Sequence, residues 1–241
     1  MPITLADRIG IEERELISII GAGGKSTVLF TLGRELADPS HRVILTTTTM
    51  MAADQITEPT CWADDPIEVE RALEPGVPLF VVTGEVPGKA TGPTPAAVDR
   101  LFLETSADFV IVEADGARSM SIKAPADHEP VIPRLSTTVI VVAAIDAIGR
   151  PISKVAHRPN LVANLAGVQV DDPLTIANAA KVLTHDNGGL KSIPGSARIV
   201  MAITKVTRET EASANELANI LETHPRVNRA VTVPSRSIAL S

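Results

Sequence analysis

The sequence is poor in aromatic residues and cysteine. Its 241 residues include four Phe, one Trp and no Tyr, so the core must be built from Val, Ile, Leu and Ala. The same scarcity argues against a surface for single-stranded nucleic acid, because base stacking requires aromatic faces. With one cysteine, Cys61, the chain forms no intrachain disulfide and fits a reducing compartment.

Long apolar runs are also missing. The longest run without a polar residue covers only residues 139–145, whereas a membrane-spanning helix needs about 20 residues. The first residues show no basic segment followed by an apolar one, as a secretion signal would. We therefore expect a soluble, cytoplasmic protein with no membrane partner. The net charge of −7 argues against a broad nucleic-acid-binding face but is compatible with a local phosphate site.

What the sequence does contain is an alternation of apolar runs and helical patterns. The runs are rich in Val and Ile with little alternation, which is typical of strands covered on both faces. This order predicts a doubly wound α/β fold, with a mostly parallel sheet and helices on both faces, as a single domain over residues 1–241. The predicted strands cover 16–20, 43–45, 79–82, 109–112, 139–143, 198–203 and 227–233, and the predicted helices 25–37, 66–73, 95–104, 173–184 and 209–223.

Three stretches lack such a pattern. Residues 84–95 are dense in Gly and Pro and are predicted to form a loop. Residues 146–167 and 187–195 are predicted to be irregular. Loops of this kind either flank a site or simply connect elements at the surface.

A glycine-rich turn between the first strand and the first long helix is the strongest local motif. Glycines let backbone N–H groups approach phosphate oxygens, and a helix N-terminus adds unpaired N–H groups. Lys25 is expected to reach the terminal phosphates and Ser26 to hold Mg²⁺. The loop is two residues shorter than the common phosphate-binding loop and similar to that of Mur ligases; a turn without a ligand is the alternative. The predicted cradle comprises Gly21, Ala22, Gly23, Gly24, Lys25, Ser26 and Thr27.

Two acids follow the fourth predicted strand, at Glu113 and Asp115. Ligands of open α/β sheets gather beyond the carboxyl ends of strands, where the glycine loop also lies. A carboxylate there can hold Mg²⁺ or position an attacking water. We prefer Asp115 as the metal ligand and keep Glu113 as the second candidate. A solvated turn at the strand end is the alternative.

Further polar residues are candidates for the same edge of the sheet. Thr46, within a run of four threonines, has a hydroxyl for phosphate or for water bound to Mg²⁺. Residues 204–207 occupy the place where GTPases recognise guanine, but the carboxylate needed for that base is replaced by Thr207. The remaining candidates are Arg118 and Lys123 for phosphate, His128 and Glu129 for substrate or metal, His157 for catalysis and Arg158 for nucleotide binding. All of them except Lys123 are also candidates for binding a second substrate, and capping of the following helix is the alternative for the pair at 157–158.

Together these motifs resemble the YqeC family, whose members are described as accessory proteins of selenium-dependent molybdenum hydroxylases. The resemblance is carried by residues 19–27, 43–50, 112–117 and 123–133, with the pair at 157–158 as a fifth stretch. It implies a nucleotide-binding protein that acts in the maturation or selenium loading of a molybdenum enzyme, and it names a molybdenum hydroxylase as the partner. The resemblance also implies that the stretch 123–133, with His128 and Glu129, belongs to the site.

The hypothesis is therefore that the protein binds a nucleotide with Mg²⁺, and we prefer ATP to GTP as that nucleotide. Lys25, Glu113, Asp115 and His157 are its predicted catalytic residues. The reaction would be hydrolysis of the nucleotide or phosphoryl activation of a small substrate. Two alternatives stay open: a ligase that activates a carboxylate as an acyl phosphate, and a carrier that changes conformation with nucleotide but catalyses nothing.

Overall fold

Parallel strands form the centre of the protein. The structure, a computed structural model, describes residues 3–235. Within this range the strands are β1 (Glu15–Gly21), β2 (Val43–Thr47), β3 (Met50–Ala52), β4 (Thr60–Cys61), β5 (Leu79–Val81), β6 (Gly84–Val86), β7 (Lys89–Thr91), β8 (Phe109–Glu113), β9 (Ile122–Lys123), β10 (Thr138–Ala144), β11 (Ala156–His157), β12 (Arg198–Val206) and β13 (Arg229–Pro234).

Eight of these strands make one sheet in the order β13-β12-β10-β1-β8-β2-β5-β4. Every neighbouring pair in it is parallel. All its strands therefore end at the same edge, which brings Gly21 of β1 beside Glu113 of β8. Two small sheets accompany it, an antiparallel one of β3, β7 and β6 and a parallel pair of β11 and β9.

Helices cover both faces of the large sheet, as the doubly wound prediction requires. They are α1 (Leu5–Ile9), α2 (Lys25–Leu36), α3 (Pro66–Ala72), α4 (Pro95–Glu104), α5 (Ile152–Val155), α6 (Pro159–Ala166), α7 (Ile176–Leu183) and α8 (Glu211–Glu222). In the described part of the chain, no helix has both the length and the apolarity that crossing a membrane demands.

Alternate residues of the strands feed different cores. On one face, Ile17 and Ile19 of β1 pack with Leu29 and Leu32 of α2. On the other face, Val139 and Val141 of β10 pack with apolar residues of α6, α7 and α8, and a third cluster joins β2, β5 and β8 to α3 and α4. Because the side chains on both faces are buried, these strands read as continuous Val and Ile runs.

The prediction of a loop over residues 84–95 is wrong. This stretch contains β6 and β7, which pair with each other and with β3 in an antiparallel sheet. The Pro and Gly that predicted a loop form the turn of this hairpin, where Gly88 adopts a left-handed φ of 73°. The stretch 146–167 likewise is not irregular throughout, since it contains α5 and α6.

One long connection crosses the end of the central strand. β8 and β10 lie on opposite sides of β1, so residues 114–137 must pass over the carboxyl end of β1. This connection contains Asp115, Arg118, Lys123, His128 and Glu129. The topology therefore places most of the predicted polar residues next to the glycine loop.

Candidate active site

The turn that follows β1 requires glycine. Gly21 and Gly23 have left-handed φ values of 96° and 87°. A Cβ at Gly21 would lie 2.2 Å from the carbonyl oxygen of Val142, and one at Gly23 would lie 2.5 Å from the Cβ of Ala144. Larger residues are therefore excluded on steric grounds as well as by the backbone conformation.

Some of the N–H groups in this turn and at the start of α2 have no partner within the part of the fold that the structure describes. Those of Gly21 and Ala22 are used within the fold, by the Asp115 carboxylate and by the Val142 carbonyl. Among residues 3–235, those of Gly23, Gly24, Lys25 and Ser26 donate to no carbonyl or side chain. Four unpaired donors at the start of a helix form a site that favours an anion.

Lys25 lies between the turn and the two acids. Its Nζ donates to the Gly21 carbonyl oxygen at 3.1 Å. The same atom is 3.6 Å from Oε1 of Glu113 and 3.3 Å from Oδ1 of Asp115. The ammonium group is thus buried and held by carboxylates, at the place where a phosphate chain on the free N–H groups would need a positive charge.

Ser26 and Glu113 form the second contact between the turn and β8. The Ser26 hydroxyl donates to Oε2 of Glu113 at 2.9 Å. Burial raises the pKa of the Glu113 carboxyl, while the positive charge of Lys25 and the hydrogen bond from Ser26 lower it in part. Both side chains line the cleft described below.

Asp115 lies deeper than Glu113. One oxygen, Oδ2, accepts the Gly21 N–H at 3.0 Å and is 2.9 Å from Nζ of Lys123. The other, Oδ1, is buried without a hydrogen bond and faces Lys25. Asp115 does not line the cleft. It fixes the glycine turn instead, which disfavours our choice of Asp115 over Glu113 as the metal ligand.

Lys123 begins a row of alternating charges behind the glycine turn. Its Nζ lies 2.8 Å from Glu129, and Glu129 in turn accepts from two nitrogens of Arg158 at 2.8 and 3.2 Å. Burial of Glu129 raises its pKa, but the hydrogen bonds and positive charges of Arg158 and Lys123 outweigh burial and lower the pKa to about 2. The Lys123 side chain is buried in this row and does not line the cleft.

His157 lies beside Arg158 in a positively charged environment. Burial lowers the pKa of its imidazole, and the charges of Arg158, Lys123 and Arg118 lower it further, whereas Glu129 raises it. Since the ordinary value is 6.5, the ring is neutral at pH 7. A neutral imidazole has one nitrogen free to accept a proton or a hydrogen bond.

These groups surround a cleft of about 790 Å³, a size suited to small molecules. It brings together the predicted residues Gly23, Gly24, Lys25, Ser26, Thr27, Glu113, Arg118, His128, Glu129, His157 and Arg158. Gly21 and Ala22 do not line the cleft, and their N–H groups are used within the fold. Thr46 is not brought in, because its buried hydroxyl donates to the Val81 carbonyl of the neighbouring strand at 2.7 Å.

Several cleft residues were missed from the sequence. Met50, Met51 and Ala52 of β3 and Lys89 of β7 line the cleft, because the small antiparallel sheet forms one wall. The pairing of β3 with β7 joins residues 37 to 41 positions apart in the chain and therefore gives no local signal in the sequence. Lys205 also lines the cleft; its neighbour Thr204 contacts the Gly23 carbonyl through its hydroxyl, so the stretch 204–207 does support the glycine turn.

Comparison with known proteins gives the family of the chain. A model of the YqeC protein family matches residues 17–160, which include the glycine turn, both acids and the His157-Arg158 pair. A curated relative from Escherichia coli strain K12, named "Uncharacterized protein YqeC", is 33% identical over 228 residues, covering 92% of this chain and 89% of the relative. On both grounds, this chain belongs to the YqeC family.

Proposed function

We propose that the protein binds a nucleoside triphosphate with Mg²⁺ in the cleft and catalyses transfer of its terminal phosphoryl group, either to water or to a small substrate. One observation carries the proposal: directly after a glycine turn with free N–H groups, the Ser26 hydroxyl meets the Glu113 carboxylate at 2.9 Å, with Lys25 beside them. A hydroxyl, a carboxylate and an ammonium group in this order suit a metal-bound phosphate chain.

The residues present fit the proposed ligands. Mg²⁺ prefers oxygen ligands and needs only one or two from the protein, because phosphates and water supply the others. Ser26 and Glu113 offer that set, and no cluster of three or more His, Cys, Asp or Glu that would hold a metal by protein ligands alone occurs in residues 3–235. When bound, Mg²⁺ would neutralise charge on the phosphates.

Each residue then has a defined task. The N–H groups of Gly23, Gly24, Lys25 and Ser26 hold phosphate oxygens. Lys25 moves its ammonium group from the Gly21 carbonyl toward the phosphates and neutralises charge that develops during transfer. Glu113 and Ser26 hold the metal, and Asp115 keeps the glycine turn in place through the Gly21 N–H. Neutral His157 also lines the cleft and would accept a proton from the attacking group.

The cellular role proposed for this reaction is maturation of a molybdenum hydroxylase, including its loading with selenium. The chain belongs to the YqeC family, and this role is the one that the resemblance to that family implies. It is tested by producing a molybdenum hydroxylase with and without this protein. We expect its activity and selenium content to fall without the protein, and equal values would contradict the role.

Phosphate release tests the chemistry. We expect ATP, or else GTP, to be turned over in magnesium buffer, and Lys25→Ala to lower the rate about 100-fold or more. Lys154→Ala is the matched control, since Lys154 is exposed on α5 and outside the cleft. Tight binding without turnover would indicate the carrier, and turnover only with an added acid and amine would indicate the ligase. No binding of either nucleotide would contradict the proposal.

A further inference from the structure

The cleft carries more positive charge than a phosphate chain alone requires. Its cationic side chains are Lys25, Lys89, Arg118, Arg158 and Lys205, whereas Glu113 and Glu129 are its only carboxylates within the described residues. The whole sequence, in contrast, has a net charge of −7. Positive charge is therefore concentrated where ligands enter.

The cations of the cleft differ in what they contact. Lys205 pairs with Asp146 at 2.7 Å and Arg158 pairs with Glu129 at 2.8 Å. Lys25 lies at the glycine turn. Arg118 is exposed, and no carboxylate or hydrogen-bond acceptor in residues 3–235 contacts its guanidinium. A guanidinium that has no partner and lies in a cleft of an acidic protein is free to bind an anion.

The backbone of Arg118 lies in a tight turn. Residues 117–120 form a turn closed by the hydrogen bond from the Met120 N–H to the Ala117 carbonyl at 3.0 Å. Within it, Arg118 and Ser119 have left-handed φ values of 46° and 59°, a conformation that costs energy for residues other than glycine. Arg158, which follows His157 in the chain, also has a left-handed φ, of 62°.

Arg118, His157 and Arg158 line one cleft. The charges of both arginines act on the His157 ring, and all three residues line the same cleft as the glycine turn. Two guanidinium groups and a neutral ring N–H are donors that match the two or three oxygens of a carboxylate or phosphate. None of the three takes part in the proposed contacts of Gly23, Gly24, Lys25 and Ser26 with the nucleotide.

We propose that Arg118, His157 and Arg158 form a second subsite of the cleft, which binds an oxyanion group, phosphate or carboxylate, of a small second substrate. The inference rests on the proposed nucleotide-dependent reaction and names the class of molecule that takes part in it. Since the cleft measures about 790 Å³, this substrate is a small molecule rather than a protein segment. Arg118 supplies the free guanidinium, and Arg158, oriented by Glu129, supplies the fixed one.

Nuclear magnetic resonance tests the subsite directly. The protein is first saturated with a non-hydrolysable ATP analogue and Mg²⁺, so that the glycine turn is filled. Inorganic phosphate is then titrated and followed by its ³¹P line, and trifluoroacetate is titrated in a parallel sample and followed by its ¹⁹F line. We expect at least one of the two anions to bind, and the one that binds more tightly identifies the substrate as a phosphate or a carboxylate.

Variants decide whether the subsite is the one proposed. Arg118→Ala should weaken anion binding about tenfold and leave affinity for the analogue within about twofold. Arg134→Ala, an exposed arginine outside the cleft, should change neither. Unchanged anion binding in Arg118→Ala, or an equal loss of analogue and anion, overturns the subsite. Failure of the wild type to bind the analogue contradicts the proposed function instead, while anion binding that depends on Arg118 and not on Lys25 would leave the subsite standing.

Discussion

Ser26 donates its hydroxyl hydrogen bond to the carboxylate of Glu113, 87 positions further along the chain. The contact joins the first turn of α2 to the end of β8, and both partners face the cleft. Asp115, only two residues beyond Glu113, is instead held by the Gly21 N–H and by Lys123. Two acids only two positions apart therefore differ in their surroundings: Glu113 lines the cleft, whereas Asp115 is held within the fold.

Exchanging each acid for its amide separates the contributions of the two acids. Glu113→Gln keeps an acceptor for Ser26 but removes the charge, so we expect the magnesium dependence of nucleotide binding to disappear while the free energy of unfolding changes by less than about 1 kcal/mol. Asp115→Asn leaves Lys123 short of a buried partner and should lower the free energy of unfolding by about 3 kcal/mol. Urea denaturation and calorimetry with and without Mg²⁺ measure both effects. The reverse pattern would return the metal to Asp115.

Much of the fold follows from the sequence, because strands buried on both faces are continuous Val and Ile runs. The motif at residues 21–27 also gave the glycine turn and the start of α2 at Lys25. The sequence does not show which hydrogen-bond and ion-pair partners the polar side chains find at the edge of the sheet. The hydrogen bond from Thr46 to the Val81 carbonyl depends on the neighbouring strand, and the ion pair of Asp115 with Lys123 depends on the connection over β1.

The small antiparallel sheet shows the same limit. Gly and Pro at 84–95 predict a loop, and the two strands within it go unpredicted because strands of three residues are too short to show a period. Lys89 of β7 and Met50 of β3 become parts of one wall only through the pairing of these two strands, which depends on contacts distant in sequence.

The glycine turn should tolerate no side chain at Gly21. In Gly21→Ala the new Cβ meets the Val142 carbonyl oxygen at 2.2 Å and the φ of 96° is unfavourable, so we expect a loss of more than about 2 kcal/mol in the free energy of unfolding. Gly195→Ala is the control, because nothing lies within 4 Å of its added Cβ; it should stay within about 0.5 kcal/mol. Chemical denaturation compares the two, and equal stabilities would contradict the structure of the turn.

Glu129 should make stability depend on acid pH. Its folded-state pKa of about 2 lies below the ordinary value of 4.5, so its contribution is fully present above pH 4.5 and is lost as the pH falls toward 2. Between pH 4.5 and 2, the free energy of unfolding of the wild type should therefore fall more steeply with decreasing pH than that of Glu129→Gln, which has no carboxylate to protonate at this position. Parallel curves would show that Glu129 is not held by Lys123 and Arg158 as described.

His157 should set the acid limit of activity. Its pKa is lowered from 6.5 by burial and by the neighbouring cations, so the ring becomes protonated, and unable to accept a proton, only below that pH. A plot of kcat/KM against pH should fall on the acid side in the wild type. His157→Gln should be slower, and the same fall should be missing from its profile. A profile that keeps its acid limb in the variant assigns that limb to another group.

The most direct test of the account is isothermal calorimetry of the purified protein with ATP and with GTP in magnesium buffer, beside Lys25→Ala and Lys154→Ala. Heat of binding with at least one nucleotide, lost in Lys25→Ala and kept in Lys154→Ala, is the predicted result. The absence of heat with both nucleotides in the wild type, or equal heats in the wild type and Lys25→Ala, would contradict it.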